Sequence, residues 1–327
     1  MKTIAAPPWA LILAGGDGTR LRALTRQIAG DPRPKQFCPL LDGETLLDRT
    51  RRRVDLLTRP DRQVVIVTRP HEPYFRPLIT DLAPDRLVVQ PANRGTGAGL
   101  LYPLMRIADL AGDVPVAVFP SDHFVDDDAT FVRAVAGAVD ALAAAPQRVI
   151  LLGIEAASPE TEYGWIEPAD RIGESESIRP IRRFWEKPAP ELAASLLSRG
   201  CLWNSFVMVG RVAAFIDLIA AGAPELVDAF EPVRRALGSA RERAVVERVY
   251  ARLEQVNFSE RVLEPAAARL GVAAVKGVEW SDWGNAERVF ATMRRTGWRP
   301  AWLQRVSRID GGLTAFPTAA FPTALSA

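Results

Sequence analysis

The sequence predicts a doubly wound α/β fold with a mostly parallel sheet, a small β excursion and a helical region toward the C-terminus. Three observations support this prediction: apolar runs alternate with amphipathic stretches in the first half, a glycine-rich turn directly follows the first apolar run, and the composition is ordinary. Of the 327 residues, 48% are hydrophobic and 24% are charged. Such values are typical of one large globular domain, or of one domain with a smaller companion.

Apolar segments rich in Val, Ile and Leu are the predicted strands of the first half. A continuous apolar run of this kind is typical of a strand buried on both faces. Alternation of such strands with helical periodicity indicates a parallel sheet wound with crossover helices. The predicted strands are 10–14, 63–68, 86–89, 114–119 and 148–153, and the clearest helix is 128–145.

The pattern changes after about residue 155. The later predicted elements are strands 163–168 and 178–185 joined by a polar turn over 170–177, a strand over 202–209, a helical region over 211–254 with breaks near 222–224 and 238–239, a strand over 271–276 and a helix over 285–295. The helical region could pack on the sheet, form a homodimer contact or act as a lid. We therefore predict one domain over 1–305, with halves at about 9–155 and 156–305, and a low-complexity tail over 306–327 that repeats Ala-Phe-Pro-Thr.

The charge balance and the cysteine count restrict the partners. The 41 basic and 39 acidic residues give a net charge of +2, which argues against nucleic-acid binding through a general positive field. No apolar run reaches the roughly 18 residues that a membrane span needs, and the N-terminus has no apolar segment typical of a signal peptide. Cys38 and Cys201 are too few for a disulfide scaffold or a cysteine-rich zinc site. We therefore expect free thiols, small-molecule partners and a cytoplasmic location.

The glycine-rich segment is the strongest local signal, and it reads Leu13-Ala14-Gly15-Gly16-Asp17-Gly18-Thr19-Arg20. Glycines let a backbone approach an anion closely and reach positive φ. Amide groups at the start of the following helix then stabilise negative charge, and Arg20 adds a guanidinium suited to phosphate oxygens. On its own, this pattern fits a tight strand–helix turn without a ligand equally well. The spacing matches neither G-x-x-x-x-G-K-[ST] nor G-x-G-x-x-G.

Longer motifs resemble one family. Residues 15–21 followed by Pro34-Lys35-Gln36-Phe37 resemble the signature of the sugar-1-phosphate nucleotidylyltransferases, and the Lys-Gln-Phe ending is similar to the mannose-1-phosphate guanylyltransferase branch. The segments that continue the resemblance are QPANRGT at 90–96, FPSDH at 119–123, YGWI at 163–166, FWEKP at 184–188, WNS at 203–205 and EWSDWG at 279–284. The resemblance covers about residues 9–295 and implies a Rossmann-like nucleotidyltransferase fold.

The reaction implied by this resemblance is attack by an oxygen of a sugar 1-phosphate on the α-phosphorus of an NTP, with loss of pyrophosphate. The nucleophile is already an anion, so catalysis rests on alignment and charge neutralisation. The candidate catalytic residues are Arg20, Lys35, Asp122, Lys187 and Asp282. Asp122 follows a predicted strand, at the edge where open α/β sheets bind ligands. Asp122 and Asp282 are the candidate ligands of Mg²⁺, because hard carboxylate oxygens suit this ion.

The resemblance also implies two binding sets. The nucleotide-binding set is Leu13, Ala14, Gly15, Gly16, Gly18, Thr19, Arg20, Lys35, Gln90, Asn93, Thr96 and Asp122, and the sugar-phosphate-binding set is Gly164, Glu186, Lys187 and Asn204. Lys187 would pair with the sugar phosphate, while Glu186 and Asn204 would hydrogen-bond sugar hydroxyls. From the residues alone, Asp122 could cap a turn, Asp282 could be a buried hydrogen-bonded carboxylate, and Glu186 could form a surface salt bridge. His123 could ligate a metal, although orientation of the loop is the simpler explanation.

The sequence departs from the pattern of this branch at several positions. Position 95 is Gly where the branch commonly has Asn, 97–99 reads Gly-Ala-Gly instead of Ala-Pro-Ala, Asp17 stands where Ser is common, and segment 258–261 lacks the usual Asp. These departures bear on which base and which sugar the protein binds, and not on the phosphate chemistry. GTP and mannose 1-phosphate are the implied substrates; another NTP, another sugar 1-phosphate, or a regulatory homologue without turnover stay open. The isomerase domain of longer relatives is absent from the sequence, so we expect a single activity.

Overall fold

The computed structural model describes residues 7–170 and 178–304. The predicted tail over 306–327 and nearly all of the predicted turn over 170–177 lie outside the described residues. The strands are β1 (Trp9–Ala14), β2 (Gln63–Thr68), β3 (Leu87–Gln90), β4 (Pro115–Pro120), β5 (Phe124–Val125), β6 (Val149–Glu155), β7 (Gly164–Pro168), β8 (Ile178–Glu186), β9 (Leu202–Arg211), β10 (Leu270–Val275) and β11 (Trp280–Ser281). The predicted strands all occur, with ends shifted by at most two residues.

The helices surround this sheet. They are α1 (Arg22–Ala29), α2 (Leu46–Asp55), α3 (Glu72–Phe75), α4 (Gly95–Ala111), α5 (Asp128–Ala141), α6 (Pro190–Ser198), α7 (Val212–Gly222), α8 (Pro224–Ala236), α9 (Glu242–Tyr250) and α10 (Ala286–Thr296). The helix predicted over 128–145 is four residues shorter, because Pro146 disfavours helical geometry just before it and residues 142–145 form tighter turns. None of the helices in the described ranges is both long and apolar enough to cross a bilayer.

Nine strands form one sheet in the order β3-β2-β1-β4-β9-β6-β10-β8-β7. β1 pairs in parallel with β2 and β4, and β2 pairs in parallel with β3. β9 lies antiparallel between β4 and β6, so a strand of the second half is inserted between two strands of the first half. β5 and β11 form a separate two-stranded ladder. The predicted α/β fold is confirmed: seven of the nine strands run in one direction, and each antiparallel pairing of this sheet involves β8 or β9 of the second half.

The core lies on both faces of the sheet. Along β1, Leu11 packs in one apolar cluster with α4 and α7–α9, while Ala10 and Ile12 pack in another with α2, α5 and α6. This alternation explains why the strand is a continuous apolar run. Of the three alternatives for the helical region 211–254, packing on the sheet is confirmed, because Phe215 and Leu218 of α7 are fully buried in the first cluster. Both predicted helix breaks occur.

A third apolar cluster brings the two ends of the domain together. It joins Leu24 of α1 to Val289 and Met293 of α10, with the fully buried Trp283 between them. As a result, the glycine-rich loop before α1 lies beside the segment 282–284 before α10. Cys38 and Cys201 are buried and form no disulfide, as predicted.

Candidate active site

Two adjoining cavities lie at the ends of β1 and β4. The glycine-loop cavity has a volume of about 320 Å³, and its lining residues are Asp17, Gly18, Thr19, Arg20, Leu21, Lys35, Asn93, Asp122 and Gly284. The central cavity has a volume of about 290 Å³ and is lined by both halves, including Gly15, Gly16, Thr96, Asp122, His123, Glu162, Tyr163, Gly164, Glu186, Asn204, Phe206, Ser259, Trp280 and Asp282. Asp122 lines both cavities, so its carboxylate stands at their junction.

The glycine loop is held by its carbonyl oxygens. The buried amide of Gln36 donates to the carbonyls of Ala14 (3.2 Å) and Gly16 (2.7 Å), and the hydroxyl of Thr68 donates to the carbonyl of Gly15 (2.7 Å). Within the described residues, the amide groups of Gly16 and Asp17 donate to no protein acceptor. The loop therefore has its acceptors satisfied by the protein, while amide donors remain available to an anion.

The three glycines of the loop differ in whether the protein itself requires glycine. A Cβ atom at Gly15 would lie 2.4 Å from Nε2 of Gln90, and Gly18 has a left-handed φ of 56° that side chains rarely adopt. A Cβ atom at Gly16 would meet no protein atom within 4 Å. Protein packing therefore does not require glycine at this position, which lines the central cavity.

Arg20 and Glu162 connect the two halves across the mouth of the site. Their side chains pair at 3.1 Å, and both are about half exposed. Glu162 also lies 3.3 Å from Arg288 and lines the central cavity. Since the pair is exposed, solvent screening leaves it weak. A phosphate can therefore compete with Glu162 for the Arg20 guanidinium at low cost.

Lys35 is almost fully buried and binds three acceptors. Its Nζ atom contacts the carbonyl oxygens of Asp282 and Trp283, the latter at 3.0 Å, and lies 3.3 Å from Oδ2 of Asp122. Lys35 thus ties the loop after α1 to the segment before α10. The same ammonium group lines the glycine-loop cavity.

Asp122 is held ionised by its neighbours. Burial acts to raise the pKa of its carboxyl, but the charges of Lys35 and His123 outweigh burial and lower the pKa below its usual value. His123 lies 3.5 Å from Asp122, and burial lowers the pKa of its imidazole. A carboxylate that is ionised and open to both cavities can ligate a hard cation. A carboxylate that only capped a turn, the alternative considered from sequence alone, would not need to line a cavity.

Asp282 is fixed by a cluster that the sequence did not reveal. Its carboxylate accepts hydrogen bonds from Arg288 (3.1 and 3.2 Å), from the hydroxyl of Tyr163 (3.2 Å) and from the amide of Gly284 (2.8 Å). Arg288 also pairs with Glu160 at 2.8 Å and stacks on the ring of Tyr163. Arg288 was not predicted as a site residue, because an arginine on a C-terminal helix carries no local motif.

Asp122 and Asp282 supply at most two carboxylates to a metal ion, so other ligands would have to complete its coordination. Within the described residues, no group of three or more His, Cys, Asp or Glu side chains is arranged to bind a metal ion. Asp122 and Asp282 nevertheless line one cavity with hard oxygen atoms. This donor set fits Mg²⁺, which is usually bound by one or two carboxylates, with waters and substrate phosphates as the other ligands.

Three of the four predicted sugar-phosphate residues lie together. A Cβ atom at Gly164 would be 3.0 Å from Oε2 of Glu186 and 3.3 Å from Cβ of Asn204, so both side chains surround this glycine. Burial raises the pKa of the Glu186 carboxyl, while the hydroxyl of Ser259 hydrogen-bonds to it. Glu186 therefore lies largely buried in the wall of the central cavity, and it also forms the ion pair considered from sequence, with the exposed Lys187 at 3.9 Å.

Strained backbone marks the sugar-phosphate side. Four non-glycine residues in the described ranges have left-handed φ angles: Asp42 (51°), Lys187 (48°), Phe206 (57°) and Trp283 (43°). All but Asp42 lie at, or within two residues of, a predicted site residue, since Phe206 follows Asn204 and Trp283 follows Asp282. The register between β6 and β9 shifts between Leu151, which pairs with Met208, and Gly153, which pairs with Asn204. Strain of this kind persists only where surrounding packing enforces it, and it clusters at functional sites.

The predicted base loop contacts the glycine loop. Asn93 donates to Oδ2 of Asp17 (2.9 Å), and Nε2 of the buried His71 lies 3.2 Å from Oδ1 of Asp17. Both oxygens of Asp17, which departs from the family pattern, are thus used to join neighbouring segments. Gln90 is buried and donates to Thr68 (2.9 Å), so in this structure it supports the loop from behind.

The structure thus gathers most of the predicted residues around the two cavities. Ala14, Gln90 and Lys187 do not line them: the first two are buried behind the wall, and Lys187 is exposed beside Glu186 at 3.9 Å. Residues that the sequence did not single out are Gln36, Glu162, Tyr163, Phe206, Ser259, Trp280 and Arg288. Tyr163 and Trp280 lie inside motifs that the sequence analysis quoted. Their aromatic side chains, close in sequence to the predicted site residues Gly164 and Asp282, were the signal that could have identified them.

Comparison with known proteins finds relatives that match much of this chain. The chain is 29% identical over 318 residues to the mannose-1-phosphate guanylyltransferase of Sinorhizobium fredii, covering 92% of this chain and 56% of that protein. It is 29% identical to the alginate biosynthesis protein AlgA of Pseudomonas fluorescens, covering 67% of this chain and 44% of that protein. The chain thus spans about half the length of these curated relatives.

A solved structure extends the agreement to the fold. A Thermus thermophilus protein described as mannose-1-phosphate geranyltransferase superposes with a TM-score of 0.74 at 32% identity, covering 88% of this chain and 80% of that chain. The family model for the nucleotidyl transferases matches residues 9–296, which include both cavities and every predicted site residue. The chain therefore belongs to the nucleotidyl transferase family.

Proposed function

We propose that this protein transfers a nucleotidyl group from an NTP to a sugar 1-phosphate, giving an NDP-sugar and pyrophosphate. The observation that carries the proposal is the position of Asp122 in the wall shared by two cavities. One cavity has the glycine loop, Arg20 and Lys35, which suit a triphosphate. The other has Gly164, Glu186 and Asn204, which suit a sugar. Two substrates bound on either side would bring their phosphates together at Asp122.

The chemistry follows from this arrangement. An oxygen of the sugar 1-phosphate forms a bond to the α-phosphorus, the bond between the α-phosphorus and the bridging oxygen breaks, and pyrophosphate leaves as an anion. No proton has to move, so the protein contributes alignment and positive charge. Bound between Asp122 and Asp282, Mg²⁺ would supply further neutralisation of phosphate charge.

The chain's own residues take the following parts in this proposal. Free amides of the glycine loop bind triphosphate oxygens, and Arg20 exchanges Glu162 for a phosphate. Lys35 positions Asp122 and the backbone of Asp282. Lys187, which lies beside Glu186, pairs with the sugar phosphate. Glu186 accepts hydrogen bonds from sugar hydroxyls, and its burial makes these bonds stronger than exposed ones.

We propose GTP and mannose 1-phosphate as the substrates. The names of two relatives, both mannose-1-phosphate guanylyltransferases, support this choice. Two buried, unbonded cysteines are consistent with a reducing compartment, which supports a cytoplasmic location.

A pyrophosphate-release assay tests the proposal. ATP, GTP, CTP, UTP and dTTP are each combined with mannose 1-phosphate and glucose 1-phosphate, with MgCl₂ or with EDTA. We expect release to be fastest with GTP and mannose 1-phosphate and to stop in EDTA. Faster release with another pair would change the substrates but keep the reaction. No release with any pair would contradict the proposal.

A further inference from the structure

A groove of about 760 Å³ lies apart from both cavities and shares no lining residue with them. We call it the helical groove; α8, α9 and the segment 251–256 form its walls. Its floor is apolar and includes Leu226, Val249, Leu253 and Val256. The volume is within the range of roughly 300–1,000 Å³ that is typical of small-molecule sites. None of the proposed chemistry uses this groove.

The charges of the groove indicate the kind of ligand. Arg261 and Glu225 pair at 2.7 Å and neutralise each other. Within the described ranges, Arg248 and Arg252 form no ion pair, and they stand four residues apart on the groove's edge. Glu254 is the one other acidic residue of the lining, so two unpaired cations face one carboxylate. An apolar floor with a cationic edge is complementary to an anion that has an apolar body.

The floor of the groove is joined directly to the predicted base loop. The amide of Val256 donates to the carbonyl of Arg94 (3.2 Å), and the amide of Gly97 donates to the carbonyl of Val256 (2.9 Å). A Cβ atom at Gly95 would lie 2.5 Å from the carbonyl oxygen of Val256, and one at Gly97 would lie 2.8 Å from its Cγ1. Gly95 and Gly97, two of the departures from the family pattern, therefore leave the space in which Val256 packs against the base loop.

A second connection runs from α9 to the glycine loop. The hydroxyl of Tyr250, the last residue of α9, donates to Oε1 of Gln90 (3.3 Å), whose amide donates to Thr68 (2.9 Å). Thr68 in turn donates to the carbonyl of Gly15 (2.7 Å). Three consecutive hydrogen bonds, the first two buried, therefore join a wall of the groove to the loop that faces the triphosphate. A displacement of α9 that moves the Tyr250 hydroxyl would lengthen or break the first of these hydrogen bonds.

We propose that the helical groove is a second binding site, for a small anion with an apolar body, and that its occupancy changes the affinity of the active site for nucleotide. The second part rests on the proposed function, because the nucleotide is taken to be the NTP. Coupling of this kind is reciprocal: the factor by which the effector changes nucleotide affinity equals the factor by which nucleotide changes effector affinity.

Binding is tested with 8-anilinonaphthalene-1-sulfonate, a fluorescent probe with an apolar body and one sulfonate. The groove variant Arg248→Gln/Arg252→Gln is compared with Arg234→Gln/Arg235→Gln, which removes the same charge from an exposed part of α8 outside the lining. We expect one saturable site per chain, a rise in probe Kd of about fivefold or more in the groove variant, and no change in the control. Ala229→Trp, which fills the groove, should abolish binding at this site.

Two outcomes would overturn the assignment of the groove. One is equal probe binding by the two double variants and by Ala229→Trp. The other is probe binding that weakens as protein concentration rises while the sedimentation coefficient increases, because the groove would then be covered by a second copy of the chain. A saturable site lost in Ala229→Trp at every protein concentration supports the proposal.

Coupling is tested by calorimetric titration of GTP with and without saturating probe. We expect the GTP Kd to change by about fivefold or more, which is within the usual range of coupling factors. Tyr250→Phe should keep the probe Kd while reducing that change. Identical GTP affinity with and without probe would overturn the coupling. If GTP does not bind even without probe, the proposed substrate is wrong, and the titration is made with the NTP that does bind.

Discussion

The nucleotide side and the sugar-phosphate side of the site achieve their geometry by different means. On the nucleotide side, glycines allow close approach and left-handed backbone: Gly15 lies against Gln90, and Gly18 has a φ of 56°. On the sugar-phosphate side, larger residues adopt similar backbone angles, with φ values of 48° at Lys187 and 57° at Phe206. The first side avoids strain through its composition, whereas the second accepts strain that packing must balance.

This difference determines what each side reveals in its sequence. A glycine-rich turn after an apolar strand is visible as a pattern, because backbone geometry restricts the residue type. A left-handed Lys187 leaves no such pattern, because its residue type is chosen for chemistry and its geometry is imposed by neighbours. Four predictions test the comparison, from the largest expected effect to the smallest.

Asp122→Asn should cause the largest loss, because Asp122 is the carboxylate common to both sides. Loss of a metal ligand removes several kcal/mol of charge stabilisation, so we expect kcat for pyrophosphate release to fall by about 10³-fold or more. The fold should persist, but loss of the negative charge beside the buried Lys35 should lower the unfolding temperature. The matched control is Asp61→Asn, an exposed aspartate outside both cavities. Near-normal turnover of Asp122→Asn with Mg²⁺ would remove Asp122 from the metal site.

Lys187→Ala should weaken binding of the sugar 1-phosphate and leave binding of the NTP unchanged. Removal of a charge-assisted contact costs about 1.5–3 kcal/mol, so the KM for sugar 1-phosphate should rise roughly 10- to 150-fold while the KM for NTP stays constant. Lys187→Gly should lose the same affinity but relieve the left-handed strain, and should therefore unfold at a higher temperature than Lys187→Ala. A rise in the NTP KM alone would mean that Lys35 and Lys187 have exchanged roles.

Gly95→Ala tests the nucleotide side's dependence on glycine. Its φ of 84° disfavours any side chain, and its Cβ would lie 2.5 Å from a backbone oxygen of Val256. Gly30→Ala is the control, because Gly30 has a φ of 83° with no atom within 4 Å. Strain common to both variants costs about 1–3 kcal/mol, and the clash should make Gly95→Ala less stable by about 1–3 kcal/mol more. Urea unfolding measures both; equal losses would show that Val256 moves aside freely.

The sequence predicted the fold well for physical reasons, and the glycine-rich loop that it singled out lines both cavities. Parallel strands buried on both faces must be apolar runs, which is why the five strands predicted from such runs in the first half all occur. The antiparallel insertion of β9 between β4 and β6 could not be predicted, because the pairing partner of a buried strand depends on distant segments.

The supporting contacts of the site were the least predictable part. Gln36 lay within a recognised motif, yet its bonds to the carbonyls of Ala14 and Gly16 depend on the folded loop. Arg288 binds Asp282 and Glu160, which are separated from one another by more than a hundred positions. Such contacts follow from tertiary packing and carry no local pattern. The Mg²⁺ ligands and the individual site roles stay predictions until the variants are measured.

Glu186→Gln should have the smallest effect on stability, and its sign depends on pH. Burial raises the pKa of Glu186 in the folded protein above its ordinary value of 4.5. The folded state therefore holds this proton more tightly than the unfolded state, and stability falls as pH rises from about 4.5 through the folded pKa. The neutral glutamine removes that loss, so the Tm of the variant relative to the native protein should be higher at pH 7.5 than at pH 4. Glu191→Gln, an exposed position on α6, should show no such trend. A difference in Tm that is constant across this range would show that the cavity solvates Glu186, and the sugar-phosphate side would then carry backbone strain without a buried charge.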